Sequence, residues 1–184
     1  MNRIYRKTRL VVITCLCLLA GQTHAQDLTV SDVLDSWDIV TKMVVESAKL
    51  MPAEDYSYKP LDPLRNFANQ INHTSASNIG FAQSVKAGQP NFAIPDRSNP
   101  PQDKEAVVDL LEKSFQYFRG GLANLNESDL EEMVAWGHPS NPKQITRMKA
   151  IMIVLSHLQR EHGKTIMYLR AKGIKPAPSG SWAF

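Results

Sequence analysis

Two residues four positions apart, His157 and Glu161, carry the first chemical signal in this sequence. In a helix, positions i and i+4 lie only ~40° apart around the axis, so an imidazole and a carboxylate would meet on one face. Such a pair can share a metal ion or simply hydrogen-bond, and spacing alone leaves both open. His162 is rotated about 140° from His157 by the same geometry and faces elsewhere. Beyond residue 25 the remaining histidines are His73 and His138. His73 falls mid-way along another helical pattern, where a histidine is more often a satisfied core residue than a ligand. Tyr168 lies seven residues past Glu161, on nearly the same face. It is a candidate for orienting a substrate, or an ordinary core tyrosine. Arg170 is either solvated or set against the helix C-terminal dipole.

Four long segments must position these groups. The first spans about 31–51, with Val33, Trp37, Val40, Val44 and Ala48 at steps of three and four, a helical stripe that Ser31 or Thr29 can cap. Trp37 is expected in its core. A proline-rich loop with Tyr56 and Tyr58 follows, and these tyrosines either line a pocket mouth or pin the loop. The second helix is expected over 63–87, from Pro63 in the first turn to Gly88, and carries His73. The third spans about 103–125 with Val107, Leu110, Leu111, Phe115, Phe118 and Leu122 inward. Gly120 and Gly121 inside it each cost about 1 kcal/mol relative to Ala, which a close helix approach or a kink would explain. Ser128-Asp-Leu-Glu131 has the capping-box pattern of a short helical turn. Residues 137–142 read as irregular, with Trp136 beside them as a possible pocket wall, and no strand pattern competes. The fourth helix, about 146–172, carries His157, Glu161 and Tyr168, and is expected to be central because Met148, Ile151, Met152, Val154, Leu155 and Leu158 make it the most apolar segment. Long antiparallel helices with moderate loops imply an all-α four-helix bundle, up-down in type with long loops.

The N-terminus reads as an export signal. Arg3, Arg6, Lys7 and Arg9 precede the apolar run Leu10 to Ala20, and Ala25 closes the stretch. This order of basic, apolar and small residues is that of a cleaved secretory signal peptide. The run is too short to span a membrane, which takes roughly 20 residues. The expected organisation is therefore a leader over 1–25 and one domain over 26–184, exported to the periplasm or medium, with no stable membrane anchor after cleavage. The chain has 21 Lys+Arg and 18 Asp+Glu; the leader holds four basic residues and no acidic one, which leaves 17 against 18, about −1. That balance gives no basic footprint for nucleic acid. Both cysteines, Cys15 and Cys17, are in the leader, which excludes a disulfide framework and a cysteine nucleophile from the remainder.

Several motifs resemble the DinB-like family of metal-binding four-helix bundles. His73 follows Phe67-Ala-Asn-Gln70 and precedes Ala76-Ser-Asn78; Met51 to Pro60 is similar to the family's loop before this helix. Thr146-Arg147, His157, Tyr168-Leu-Arg170, Gly173-Ile174 and Pro176 match the family's histidine-bearing last helix in order and spacing. The resemblance covers most of the chain after the leader. It implies a divalent metal held by three histidines from the second and fourth helices. His73 and His157 match two of these positions. The third departs: without gaps it falls on Glu161, and His162 is one residue late. Either Glu161 replaces the histidine, giving a two-imidazole, one-carboxylate set suited to zinc or Fe(II), or a helical bulge brings His162 round, or the site is degenerate. Zinc is the first expectation, with nickel, iron or manganese as alternatives.

The resulting functional expectation is a metal-dependent hydrolase acting on an unidentified small molecule. Thiol transfer ranks below hydrolysis, because low-molecular-weight thiols are chiefly cytosolic. The alternatives are a non-catalytic ligand- or metal-binding bundle, and a structural protein with a degenerate site, in which unclaimed apolar surface pairs two subunits as a homodimer.

Overall fold

The computed structural model describes residues 28–176; the leader expected over 1–25 and the tail from 177 onward lie outside them. Thr29 starts the first helix, α1 (Val30–Leu50): its side chain accepts from the Asp32 N–H, and Asp32 answers to the Thr29 N–H in a capping box. The apolar stripe expected on α1 is buried, and Trp37 is 1% exposed, stacked on Phe118 at 4.2 Å between ring centroids.

The second helix, α2 (Phe67–Phe81), starts four residues later than its expected first turn at Pro63. The physical reason is tertiary. The carbonyls of Tyr58 and Tyr56 accept from the N–H groups of Phe67 and Ala68, at 2.9 and 2.8 Å, while Asn66 caps through its side chain. Loop docking therefore satisfies the helix start. Tyr56 pins that loop, with its buried hydroxyl donating to the Ala48 carbonyl at 2.8 Å. At its other end α2 tightens into a 3₁₀ turn, Ala82–Val85.

That turn accounts for a glycine in the third helix, α3 (Lys104–Ala123). A Cβ on Gly121 would lie 2.7 Å from the Val85 carbonyl oxygen, whereas Gly120 faces open space. Close approach, at Gly121 alone, is the answer to the glycine pair. A short helix, α4 (Glu127–Leu130), follows; its capping box joins Asn126 and Asp129, two residues before the Ser128–Glu131 box expected.

Two strands then appear where none was expected. β1 (Met133–Trp136) and β2 (Lys143–Thr146) pair antiparallel, Met133 opposite Thr146 and Trp136 opposite Lys143. Four-residue strands are too short for a period-two pattern to stand out. The last helix, α5 (Arg147–Ala171), begins directly from β2 with Thr146 as its cap.

Around the bundle the order is α1, α3, α2, α5, so the sequential helices α1 and α2 sit diagonally and α2 lies beside α5. α5 is less central than its composition suggests: Met152, Ile153 and Met167 are exposed. It occupies one corner of the bundle, with only its inward stripe covered. Each fully buried aliphatic or Phe side chain contributes about 1.5–3 kcal/mol, and Ile71, Leu111, Phe118, Leu122, Ile151 and Leu158 are all in that class. Among the described residues no helix is long and apolar enough to cross a membrane.

Candidate metal centre

The packing of α2 against α5 brings His73, His157 and Glu161 together. One ligand atom from each lies within 4.8 Å of the others. The two imidazole rings are 5.7 Å apart between centroids and inclined by 60°. On α5 itself, His157 Nε2 is 3.7 Å from Glu161 Oε1, beyond hydrogen-bonding distance. His157 Nδ1 is buried and has no partner. Neither nitrogen of this ring is therefore satisfied by the protein.

Glu161 is fully buried and heavily engaged. Gln70 Nε2 donates to Oε2 at 2.7 Å, Lys164 Nζ reaches Oε1 and Oε2 at 2.8 and 2.9 Å, and Arg160 Nε donates to Oε1 at 3.2 Å. Burial pushes the carboxyl up, but these hydrogen bonds and the Lys164 charge outweigh it and hold it at about 2. Burial depresses both imidazoles; the Arg65 charge adds to this at His73, and Glu161 opposes it at both. The cluster is thus two neutral imidazoles and one ionised carboxylate at neutral pH. Those are the protonation states that ligate a cation, and the donor types suit a divalent ion.

A cavity of about 1120 Å³ opens beside the cluster, lined by His73 but not by His157 or Glu161. The hairpin forms one wall. Trp136 stacks on Phe81 at 5.1 Å and 20°, and the Phe81 and His157 rings meet in a T-shaped contact at 5.7 Å. Trp136 thus lines the cavity, as the pocket wall that its position in the sequence suggested.

The chain over residues 36–166 matches the family model of the DinB superfamily. This chain belongs to the DinB superfamily. The fold agrees with solved DinB structures. A DinB-like protein from Bacillus cereus superposes with a TM-score of 0.71 at 13% identity, over 82% of this chain and 97% of that one. A DinB-like protein of Bacillus subtilis, YjoA, gives 0.63 at 17%, over 79% and 95%. YfiT of Bacillus subtilis, described as a probable metal-dependent hydrolase with an unusual four-helix bundle topology, gives 0.61 at 12%, over 82% and 93%. No curated protein matches the sequence. At these identities the structural likeness speaks to fold alone.

Within this DinB bundle the other candidates are placed as follows. His162 turns away from the cluster toward α1, its Nε2 2.9 Å from the Ser47 hydroxyl. Tyr168 is buried, does not line the cavity, and donates to the Arg65 carbonyl at 2.6 Å; it holds the chain at the start of α2. His138 is exposed in the hairpin loop against Ser140. Gln70, Lys164, Arg65 and Arg97 also stand at or near the site, with no role expected of them from the sequence. Lys164 was detectable as an i,i+3 partner of Glu161, and Gln70 stands within the Phe67–Gln70 motif. The arginines carried no local signal.

Proposed function

We propose that His73, His157 and Glu161 hold a divalent metal ion, zinc in the first instance, and that the protein is an exported metal-dependent hydrolase. The observation that carries this is the largely buried His157 ring, set beside a second imidazole and an ionised carboxylate with both its nitrogens unpartnered. An imidazole so placed is stabilised by a ligand it can donate its lone pair to. When bound, a divalent ion there supplies Lewis acidity and an activated water near neutral pH. The rest falls to the chain's own groups. Gln70 fixes the Glu161 carboxylate from α2, much as outer partners orient metal ligands elsewhere. His73 is the cluster's face toward the cavity, so a substrate meets the site there. Phe81 and Trp136 shield the His157 side from water. The description of YfiT as a probable metal-dependent hydrolase supports the reaction class, and the basic-apolar-small leader supports export.

One observation favours a second reading, a ligand-binding bundle without turnover: Lys164 already neutralises Glu161. The deciding experiment is elemental mass spectrometry on protein purified without chelator or histidine tag, with His73→Ala, His157→Ala and Glu161→Ala beside wild type. One metal per chain, lost in all three variants, together with metal-dependent cleavage of ester, amide or phosphoester probes, is the expected result. Absence of metal after zinc loading would overturn the hydrolase reading in favour of the binding bundle. Export is tested by N-terminal sequencing of protein recovered from a bacterial periplasm, where Gln26 is the expected first residue.

A further inference from the structure

The cavity beside His73 has an uneven charge. Arg65 and Arg97 both line it, and no aspartate or glutamate does. Among the described residues Arg119, Arg147 and Arg160 are each paired with a carboxylate, but no such pair involves Arg65 or Arg97. The nearest acid in sequence, Asp96, accepts from the backbone of Ser98 at 2.9 Å and is not part of the lining. Arg97 arrives from the loop before α3 and lies across α2 at Gly80, where an added Cβ would come 3.7 Å from its Nη2. Arg65 sits just before the Asn66 cap, on backbone that Tyr168 fixes. Two guanidiniums without a carboxylate partner thus line one concave surface. Arginine's planar fork is suited to carboxylate and phosphate oxygens. The adjoining wall is apolar, made by the Trp136–Phe81 stack. Asn72, 6% exposed and also in the lining, spends its amide N–H on the Pro101 carbonyl at 2.7 Å.

We infer that the cavity binds a small organic anion, a carboxylate or phosphate whose head group is held by Arg65 and Arg97 while a planar apolar body packs on Trp136. This names the substrate class of the proposed metal centre and rests on that reading for where the scissile bond would lie, next to His73.

The test is calorimetric titration of the protein with 2-naphthoate, 2-naphthylphosphonate and the neutral isostere 2-naphthamide. Each titration is done in EDTA, so that no metal can hold the anion, and repeated with zinc. In EDTA at least one anion is expected to bind about tenfold or more tightly than the amide, and the tighter anion identifies the head group. Arg65→Gln and Arg97→Gln are each expected to weaken that anion about tenfold and leave the amide unchanged. Trp136→Ala weakens anion and amide together. Both arginines are exposed, and circular dichroism of the variants verifies that the fold is kept. Equal affinity for amide and anions, unchanged anion affinity in both arginine variants, or no binding by any probe overturns the inference. Zinc binding without anion preference would leave the metal centre standing and this inference refuted; anion preference without zinc binding would do the reverse.

Discussion

Lys164 and Glu161, one turn apart on α5, form an ion pair in which a single ammonium reaches both carboxylate oxygens, at 2.8 and 2.9 Å. The lysine side chain is 45% exposed and the carboxylate is not exposed at all. The ammonium therefore competes from the solvent side for the oxygens that a metal at His73 and His157 would draw on.

Removing that competitor should tighten metal binding. Lys164→Met is expected to raise zinc affinity about twofold to fivefold, the modest figure that a partly solvated ion pair allows. Competition titration with a chromophoric chelator measures it. Unchanged or weaker affinity would show that Lys164 does not oppose the ion.

His162 should be dispensable for metal and needed for stability. Its Nε2 is 2.9 Å from the Ser47 hydroxyl, and Ser47 is 1% exposed. His162→Ala leaves that hydroxyl buried without its partner, at a cost of about 1–3 kcal/mol. Urea unfolding should register the loss while metal content stays at the wild-type level. Loss of metal would make His162 the third ligand instead of Glu161.

The two adjacent glycines of α3 should respond oppositely to alanine. Gly121→Ala drives a methyl to within 2.7 Å of the Val85 carbonyl oxygen and 2.8 Å of its Cγ2, and is expected to destabilise by about 1–3 kcal/mol. Gly120→Ala meets open space and should stabilise by about 0.5–1 kcal/mol through helix propensity. Thermal unfolding of the pair is the check.

Acid should weaken the junction of the hairpin with α5. Lys86 bonds Asp129 and Glu132, and Arg147 bonds Glu132 at 2.7 Å. The Asp129 carboxyl lies below its ordinary 3.8, held there by the Asn126 N–H and then by Lys86; Glu132 lies below its ordinary 4.5 through Lys86 and then Arg147. Groups depressed in the folded state stabilise it above their unfolded values and lose that contribution as pH falls through the folded ones. Lys86 is raised by the same bonds, so its share is present below 10.5 and is lost only at higher pH. The share of these carboxylates in the unfolding midpoint should be constant above about pH 4.5 and fall below it; His73, His157 and His162, depressed from 6.5 by burial, begin a separate decline from about pH 6.5 downward. Lys86→Met should shallow the carboxylate limb, and salt should do the same because Lys86 is half exposed.

The sequence by itself determined whatever repeats or spaces itself locally. Apolar residues at steps of three and four placed four long helices, because burial of one helical stripe is written every turn. The four-residue interval put His157 and Glu161 on one face, and the motif around His73 marked the family, so the fold and the three members of the cluster were within reach. Boundaries set by contacts were not. The start of α2 moved to Phe67 because the Tyr56 and Tyr58 carbonyls, parts of a docked loop, occupy its first N–H groups.

Only the tertiary structure decided how distant groups meet. Gln70 and Glu161 are 91 residues apart yet share a hydrogen bond, because α2 and α5 are neighbours around the bundle while α1 and α2 are not. The hairpin was invisible for want of length, although it brings Trp136 onto Phe81 and builds the cavity wall. Arg97, in a loop without periodicity, acquires its place only by lying across Gly80. Spacing along one helix fixes angles on that helix; which face meets which partner is decided by packing, and the cavity and its charge exist only after packing is complete.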